Sequence, residues 1–297
     1  MNYLRELEAE SIYILREAAA QFKRPALLFS GGKDSTVMAR LAEKAFRPGR
    51  FPFPLLHIDT GHNFDEVLEF RDWFVDQLGE RLVVGSVEET LAQKGITAEH
   101  PDFHNRNRLQ STTLMDAIRK HQFDACIGGA RRDEEKARAK ERIFSLRGSS
   151  GAWDPNHQRP ELWNTLNGRL QHSEHMRVFP ISNWSELDIW RYIEAESLTL
   201  PSIYFAHNRN VIRREGKLVP LHPYLNVGSE EFIEELSVRF RTVGDMTCTA
   251  AVSSTAQNAA SVIEELQTST ISERGETRID DSFSESAMEE RKAEGYF

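Results

Sequence analysis

The chain has 297 residues, 39% of them hydrophobic, with 37 Lys and Arg against 46 Asp and Glu and a net charge of −9. That is enough for one large α/β domain with an appendage or for two modest domains, and the acidic balance argues against a dedicated nucleic-acid binder. There is no apolar run of about 18 residues for a membrane span and no basic-then-apolar opening of a signal peptide. The only cysteines, Cys126 and Cys248, form no redox or zinc set, so a cytoplasmic protein is expected.

Leu4, Leu7, Ser11, Ile14, Leu15 and Ala18 recur at helical spacing and predict an amphipathic first helix. Residues 26–29 then read as a strand buried on both faces, running straight into Ser30-Gly31-Gly32-Lys33-Asp34-Ser35 and a helix that carries Val37, Met38 and Leu41. Such a turn aims backbone N–H groups, a helix N-terminus and one lysine at the same small volume, which suits phosphate. The mononucleotide pattern G-x-x-x-x-G-K-[ST] fails, because Leu27 stands at its first glycine and Asp34 follows the lysine.

Residues 55–58 predict a second strand ending at Asp59-Thr60-Gly61. Asp59 either faces the crevice beyond the strand ends together with Lys33 or only caps the next turn. His57 in this strand is expected in the core. A helix over 64–78 stopped by Gly79, and a third strand at 82–84, follow. Residues 100–110, with Arg106 and Arg108, are either an anion contact or a solvated loop before a helix capped by Ser111 or Thr112. A fourth strand over 123–127 ends in Gly128-Gly129-Ala130.

Six basic residues then fall within 131–142. On a helix, Arg132, Lys136 and Lys140 would share a face, and Glu134 and Arg138 would pair. Their place at a strand end, beyond small residues, favours polyanion chemistry over a solvated charged face. Residues 145–174, rich in Trp and Pro, predict an ordered irregular loop, with His172 and His175 at its surface. A fifth strand over 176–179 and a capped helix over 183–196 complete an α/β, doubly wound, mostly parallel five-stranded sheet. Helices near 230–236 and 256–267 are expected in the less periodic remainder. The division is therefore a catalytic nucleotide-binding domain over 1–200 and a cap or partner-binding extension over 201–297.

Residues 30–35 resemble the pyrophosphate loop S-G-G-x-D-S of the ATP pyrophosphatases, which cut ATP between its α and β phosphates. Other segments extend the likeness: His57-Ile58-Asp59-Thr60, residues 128–136, Trp153-Asp154-Pro155, residues 158–163, Arg177-Val178-Phe179-Pro180, residues 238–242 and Gly295-Tyr296-Phe297. Over nearly its whole length the chain resembles the small subunit of the bacterial sulfate adenylyltransferases. The resemblance implies an adenine nucleotide α-hydrolase-like (Rossmann-like) fold and the formation of adenosine 5′-phosphosulfate and pyrophosphate from ATP and sulfate, in sulfate assimilation. It also implies a GTPase large subunit whose hydrolysis of GTP drives the reaction. Residues 60–64 and 244–248 depart from the best-known family pattern.

On that footing Ser30, Gly31, Gly32, Lys33, Asp34 and Ser35 are expected at the departing phosphates, with Gly128 and Gly129 allowing ATP to approach. Asp34 alternatively orients the loop. Asp59 and Asp133 are candidates for Mg²⁺, which takes one or two carboxylates plus phosphate oxygens and water. Sulfate needs cations rather than a base, and Arg131 and Arg132 are the first candidates, ahead of Arg106, Arg239 and Arg241. Lys33, Asp34, Arg131 and Arg132 form the expected catalytic set. Three rival readings compete. A thiol-dependent reductase of activated sulfate needs a cysteine after Cys248, a tRNA-modifying ATP pyrophosphatase needs a basic face, and a binding module without chemistry would not need residues 30–35 intact.

Overall fold

The computed structural model describes residues 3–97, 106–134, 136–148 and 151–268, together with positions 273, 277 and 279. The first half is built from α1 (Tyr3–Gln21), β1 (Pro25–Leu28), α2 (Lys33–Phe46), β2 (Leu55–Asp59), α3 (Asp65–Leu78), β3 (Leu82–Ser86), α4 (Val87–Lys94), α5 (Arg106–His121) and β4 (Ala125–Ile127). Then come α6 (Lys136–Ala139), β5 (Phe144–Arg147), β6 (His175–Val178) and α7 (Glu186–Ala195). Beyond α7 lie β7 (His207–Arg214), β8 (Lys217–Pro220), β9 (Glu234–Arg239), β10 (Val252–Ser253) and α8 (Ala259–Thr268).

Strands β3, β2, β1, β4 and β6 form a parallel array in that order, with Leu27 opposite both Leu55 and Ile127. Leu27, Leu55, Ile127, Met176 and Val178 are fully buried, as expected of strands covered by helices on both faces. From β1 the chain first builds outward through β2 and β3 and later returns to β4 on the other side. The strand order therefore reverses between β1 and β4, and a crevice opens beyond their carboxyl ends. Ser30 and Gly128 leave the sheet at that point.

The parallel doubly wound sheet agrees with the sequence reading, and the structure adds a sixth strand. Antiparallel β5 closes the edge beside β6, pairing Phe144 with Val178 and Leu146 with Met176. It lies partly in the stretch expected to be irregular. Four residues carry too little pattern, and its polar members are buried: Arg147 pairs with Glu141 at 3.0 Å. The outer edge of β5 is satisfied by side chains of the following loop. Glu161 accepts from the N–H of Ile143 (2.6 Å) and of Phe144 (3.0 Å), and Gln158 accepts from that of Leu146 (2.9 Å). Edge strands left unpaired invite aggregation, and this loop prevents it.

Three local expectations are corrected. The stretch 230–236 is not helical: from Glu234 onward it forms β9, which pairs with β7 and β10, because alternating burial and partners on both sides outweigh the helix propensity of its glutamates. α5 starts at Arg106, ahead of Ser111, which is buried inside it. Among the described residues the basic run 131–142 is helical over Lys136–Ala139, since Arg131 turns inward and is buried.

His175 is likewise not at the surface: it opens β6 and is 3% exposed. Burial, with Arg177, Arg147 and Arg119 nearby, depresses its pKa from 6.5 to about 2. The folded state therefore holds His175 neutral, so its contribution to stability is complete above pH 6.5 and declines as pH falls below it. By about pH 5 the loss should approach 2 kcal/mol. In urea denaturation, His175→Leu is expected to flatten that part of the stability–pH curve. An equally steep curve in the variant would assign the acid sensitivity elsewhere.

Candidate active site

The crevice at the strand-order reversal is a cleft of about 250 Å³, lined by Ser30, Asp34 and Ser35, Thr60 and Asn63, Gly128 and Gly129, Glu134 and Arg138, and Asp245. Its floor is the loop between β1 and α2. Gly31 adopts φ +79°, and a Cβ there would lie 2.9 Å from Val67 Cγ1, so only glycine fits both the backbone and the space. A Cβ on Gly129 would stand 3.2 Å from that of Asp34, which shows how closely the segment after β4 approaches the first turn of α2. The Ser35 hydroxyl donates to the Gly32 carbonyl at 2.9 Å, and the N-cap of α2, Gly32, makes no side-chain cap. The Lys33 N–H donates to the Tyr204 hydroxyl at 3.0 Å and the Gly32 N–H to Ser30 Oγ at 3.2 Å, which leaves the N–H groups of Asp34 and Ser35, both cleft-lining residues, as the seat for an anion.

Under this loop lies a buried ionic cluster. Lys33 is fully buried and is not among the cleft-lining residues; its ammonium donates to Asp34 Oδ2 at 2.9 Å and to Glu273. Arg131, also buried, donates through Nε to Asp34 (2.9 Å), through Nη1 to Asp133 (2.8 Å) and through Nη2 to Glu273 (2.5 Å). Burial disfavours the charge on Lys33, yet the Asp34 and Glu273 carboxylates overcome it and hold the ammonium well above its usual pKa. Burial also opposes ionisation of Asp34, but Lys33 and Arg131 keep its pKa low. Burial pushes Glu273 up to about 7 against the pull of Lys33, with Glu186 adding to the rise.

Of the residues singled out in the sequence, Lys33, Asp34, Arg131 and Asp133 meet in this cluster. Asp133 also accepts from the Glu186 N–H (2.8 Å), and Glu186 pairs with Arg241 (2.6 Å), just past β9, which ties the separate four-stranded sheet of order β10-β9-β7-β8 to the first. Asp59 accepts from Gly61 N–H at 2.8 Å. Arg132 donates to Asn183, Arg106 pairs with Glu88 at 2.7 Å, and Arg239 pairs with Glu265 at 2.8 Å. His57 is buried and bonds the Phe29 carbonyl through Nδ1 at 2.9 Å. Arg108 has no described side chain.

Sequence reasoning missed Thr60, Asn63, Asp245, Arg138 and Glu273 as site residues. A signal for three of them was present: the two segments that depart from the family pattern meet here. Asn63 and Asp245 form an isolated β-bridge, and Met246 N–H donates to the His62 carbonyl at 2.9 Å. Arg138 was visible only as a partner of Glu134, with which it pairs at 2.5 Å.

The family model of the phosphoadenosine phosphosulfate reductase domain matches residues 24–251. At full length the chain is 58% identical over 297 residues to sulfate adenylyltransferase subunit 2 of Mycobacterium sp. (strain KMS), covering 100% of this chain and 95% of that one. It is 57% identical, with the same coverage, to sulfate adenylyltransferase subunit 2 of Mycobacterium tuberculosis (strain ATCC 25177 / H37Ra). The chain belongs to the sulfate adenylyltransferase subunit 2 family.

The name subunit 2 implies a partner subunit for those relatives. Among solved structures, Candida glabrata FMN adenylyltransferase with FMN and an ATP analogue aligns at TM-score 0.46 and 13% identity, over 68% of this chain and 60% of that one. Phosphoadenylyl-sulfate reductase from Candida auris aligns at TM-score 0.45 and 14% identity, over 68% and 89%. Among the described residues of this family member no helix is long and apolar enough to cross a membrane.

Proposed function

We propose that the chain is the catalytic small subunit of an ATP sulfurylase, which transfers the adenylyl group of ATP to sulfate and releases pyrophosphate. The observation that carries this reading is the loop Ser30–Ser35, seated on a cleft in a chain 58% identical from end to end to a sulfate adenylyltransferase subunit 2. A sulfate oxygen attacks the α-phosphorus while the bond to the β-phosphate oxygen breaks, so the protein's task is to position two polyanions and balance their charge. The Asp34 and Ser35 N–H groups of the first turn of α2 and the Ser30 and Ser35 hydroxyls receive the departing phosphates, while the Lys33 N–H is held by the Tyr204 hydroxyl. Gly128 and Gly129 give the nucleotide room against the end of β4.

Arg138 is the arginine that lines the cleft among the described residues, and it takes the sulfate charge by exchanging its Glu134 partner. Arg132, at the same strand end, adds positive charge nearby, whereas the charge of Arg131 is already balanced by Asp34, Asp133 and Glu273. Mg²⁺ fits the donor set: Asp245 lines the cleft, and its buried Oδ2 makes no hydrogen bond among the described residues and stands 3.9 Å from His62 Nδ1. Asp59, proposed for the same ion from its place at the end of β2, would have to leave the Gly61 N–H to reach it, while Asp133 is already engaged by Arg131. The ion would screen the triphosphate charge. The partner is a GTPase large subunit whose GTP hydrolysis drives the uphill transfer, in the cytoplasm, as a step of sulfate assimilation.

The deciding experiment is sulfate-dependent pyrophosphate release from ATP, by this chain alone and with the large subunit and GTP. Release that requires sulfate and rises with partner and GTP supports the reading. ATP binding without sulfate-dependent release rejects it. Arg138→Ala is expected to raise the sulfate KM tenfold or more, since a charge-assisted contact is worth about 1.5–3 kcal/mol, with a smaller change in the ATP KM. An unchanged sulfate KM removes Arg138 from the sulfate site. A reductase would need a reactive thiol, whereas Cys126 and Cys248 are both buried and burial pushes the Cys126 thiol further up; consumption of thiol with activated sulfate would revive that alternative.

A further inference from the structure

Two fully buried cations beneath a phosphate loop require buried anions, and one of these comes from the far end of the chain, 240 positions from Lys33. Glu273 is 5% exposed, and its two carboxylate oxygens divide between Lys33 Nζ and Arg131 Nη2. Its place is set by hydrogen bonds to Cys248 and Ala250, just ahead of β10. Thr277 donates its hydroxyl to the Glu273 carbonyl (2.8 Å), Ala250 N–H donates to the Thr277 carbonyl (2.8 Å), and Ile279 N–H to that of Cys248 (3.1 Å).

Neither Lys33 nor Arg131 lines the cleft, but Asp34 does, and both cations grip it: Lys33 at Oδ2 and Arg131 at Oδ1. Asp34 is the second residue of α2, so its side chain fixes the turn whose N–H groups face the cleft. Glu273 joins the two gripping side chains to each other. Without it, Lys33 would have Asp34 alone as a carboxylate partner among the described residues, and Arg131 would keep Asp34, Asp133 and Glu134. The loop's geometry then depends on a carboxylate 240 positions away in the chain.

We propose that Glu273 is a positioning residue for the phosphate loop, bridging Lys33 and Arg131 so that Asp34 and the first turn of α2 are held ready for the ATP phosphates. This rests on the reading of the cleft as an ATP site. Loss of a charge-assisted contact of this kind amounts to a change of about tenfold or more.

The test uses the full-length chain, Mg-ATP binding by equilibrium dialysis, and steady-state pyrophosphate release with the partner subunit and GTP. Glu273→Gln is expected to weaken ATP binding tenfold or more, to raise the ATP KM, and to leave the sulfate KM nearly unchanged. Lys33→Met should do the same. In the double variant the two losses should not multiply, because each removes the same bridge. Should Glu273→Gln fail to fold, Glu273→Asp, which keeps the charge on a shorter arm, carries the test: weaker ATP binding at unchanged melting temperature supports the bridge. Wild-type ATP affinity in the Glu273 variant, or losses that multiply in the double, overturns the inference alone. A wild-type chain that does not bind ATP overturns the ATP reading and the inference with it.

Discussion

Asp34→Ala is expected to lower folding stability by about 3–5 kcal/mol. The reason is what Asp34 leaves behind. Its two oxygens meet Lys33 and Arg131 at 2.9 Å each, and both cations are fully buried. Removing the carboxylate strips a counter-charge from each, and Lys33, whose other carboxylate partner among the described residues is Glu273, suffers most. Asp34→Asn retains one acceptor oxygen and should lose less. Urea denaturation of both variants measures this directly. A shift under about 1 kcal/mol for the alanine would mean the cluster is solvated in solution, since exposed ion pairs are worth no more than that.

Gly31→Val is expected to reduce ATP binding by a hundredfold or more with a smaller loss of global stability. Valine pays twice at this position. Its backbone would have to hold φ +79°, which costs an L-residue about 1–2 kcal/mol. Its Cβ would fall 2.9 Å from Val67 Cγ1 and 3.3 Å from the Val67 carbonyl on α3, an overpacking of about 1–3 kcal/mol. The loop relieves both by changing shape, and its shape is what presents the N–H groups of α2 to phosphate. ATP titration of Gly31→Val and Gly31→Ala against the wild type separates the two terms, the alanine carrying most of the backbone strain and less of the bulk. Unaltered ATP affinity in both would move the phosphates away from this loop.

The sequence by itself determined the parallel core and the position of the loop. Buried strands of continuous apolar residues alternate with amphipathic helices, and this pattern depends on periods of a few residues that can be read locally. It also placed Ser30, Asp34, Ser35, Gly128 and Gly129 at one crevice, because strand ends in an open parallel sheet converge there regardless of detail. What only the tertiary structure decided were contacts between distant positions. β5 and β9 carry little pattern of their own and are strands because β6 and β7 lie beside them. Lys33 and Arg131 look in sequence like exposed phosphate or sulfate ligands, yet they are buried among Asp34, Asp133 and Glu273. A side chain's charge can be read from its letter, but whether that charge faces solvent, ligand or another charge depends on which segment folds over it. Here that segment lies at the opposite end of the chain.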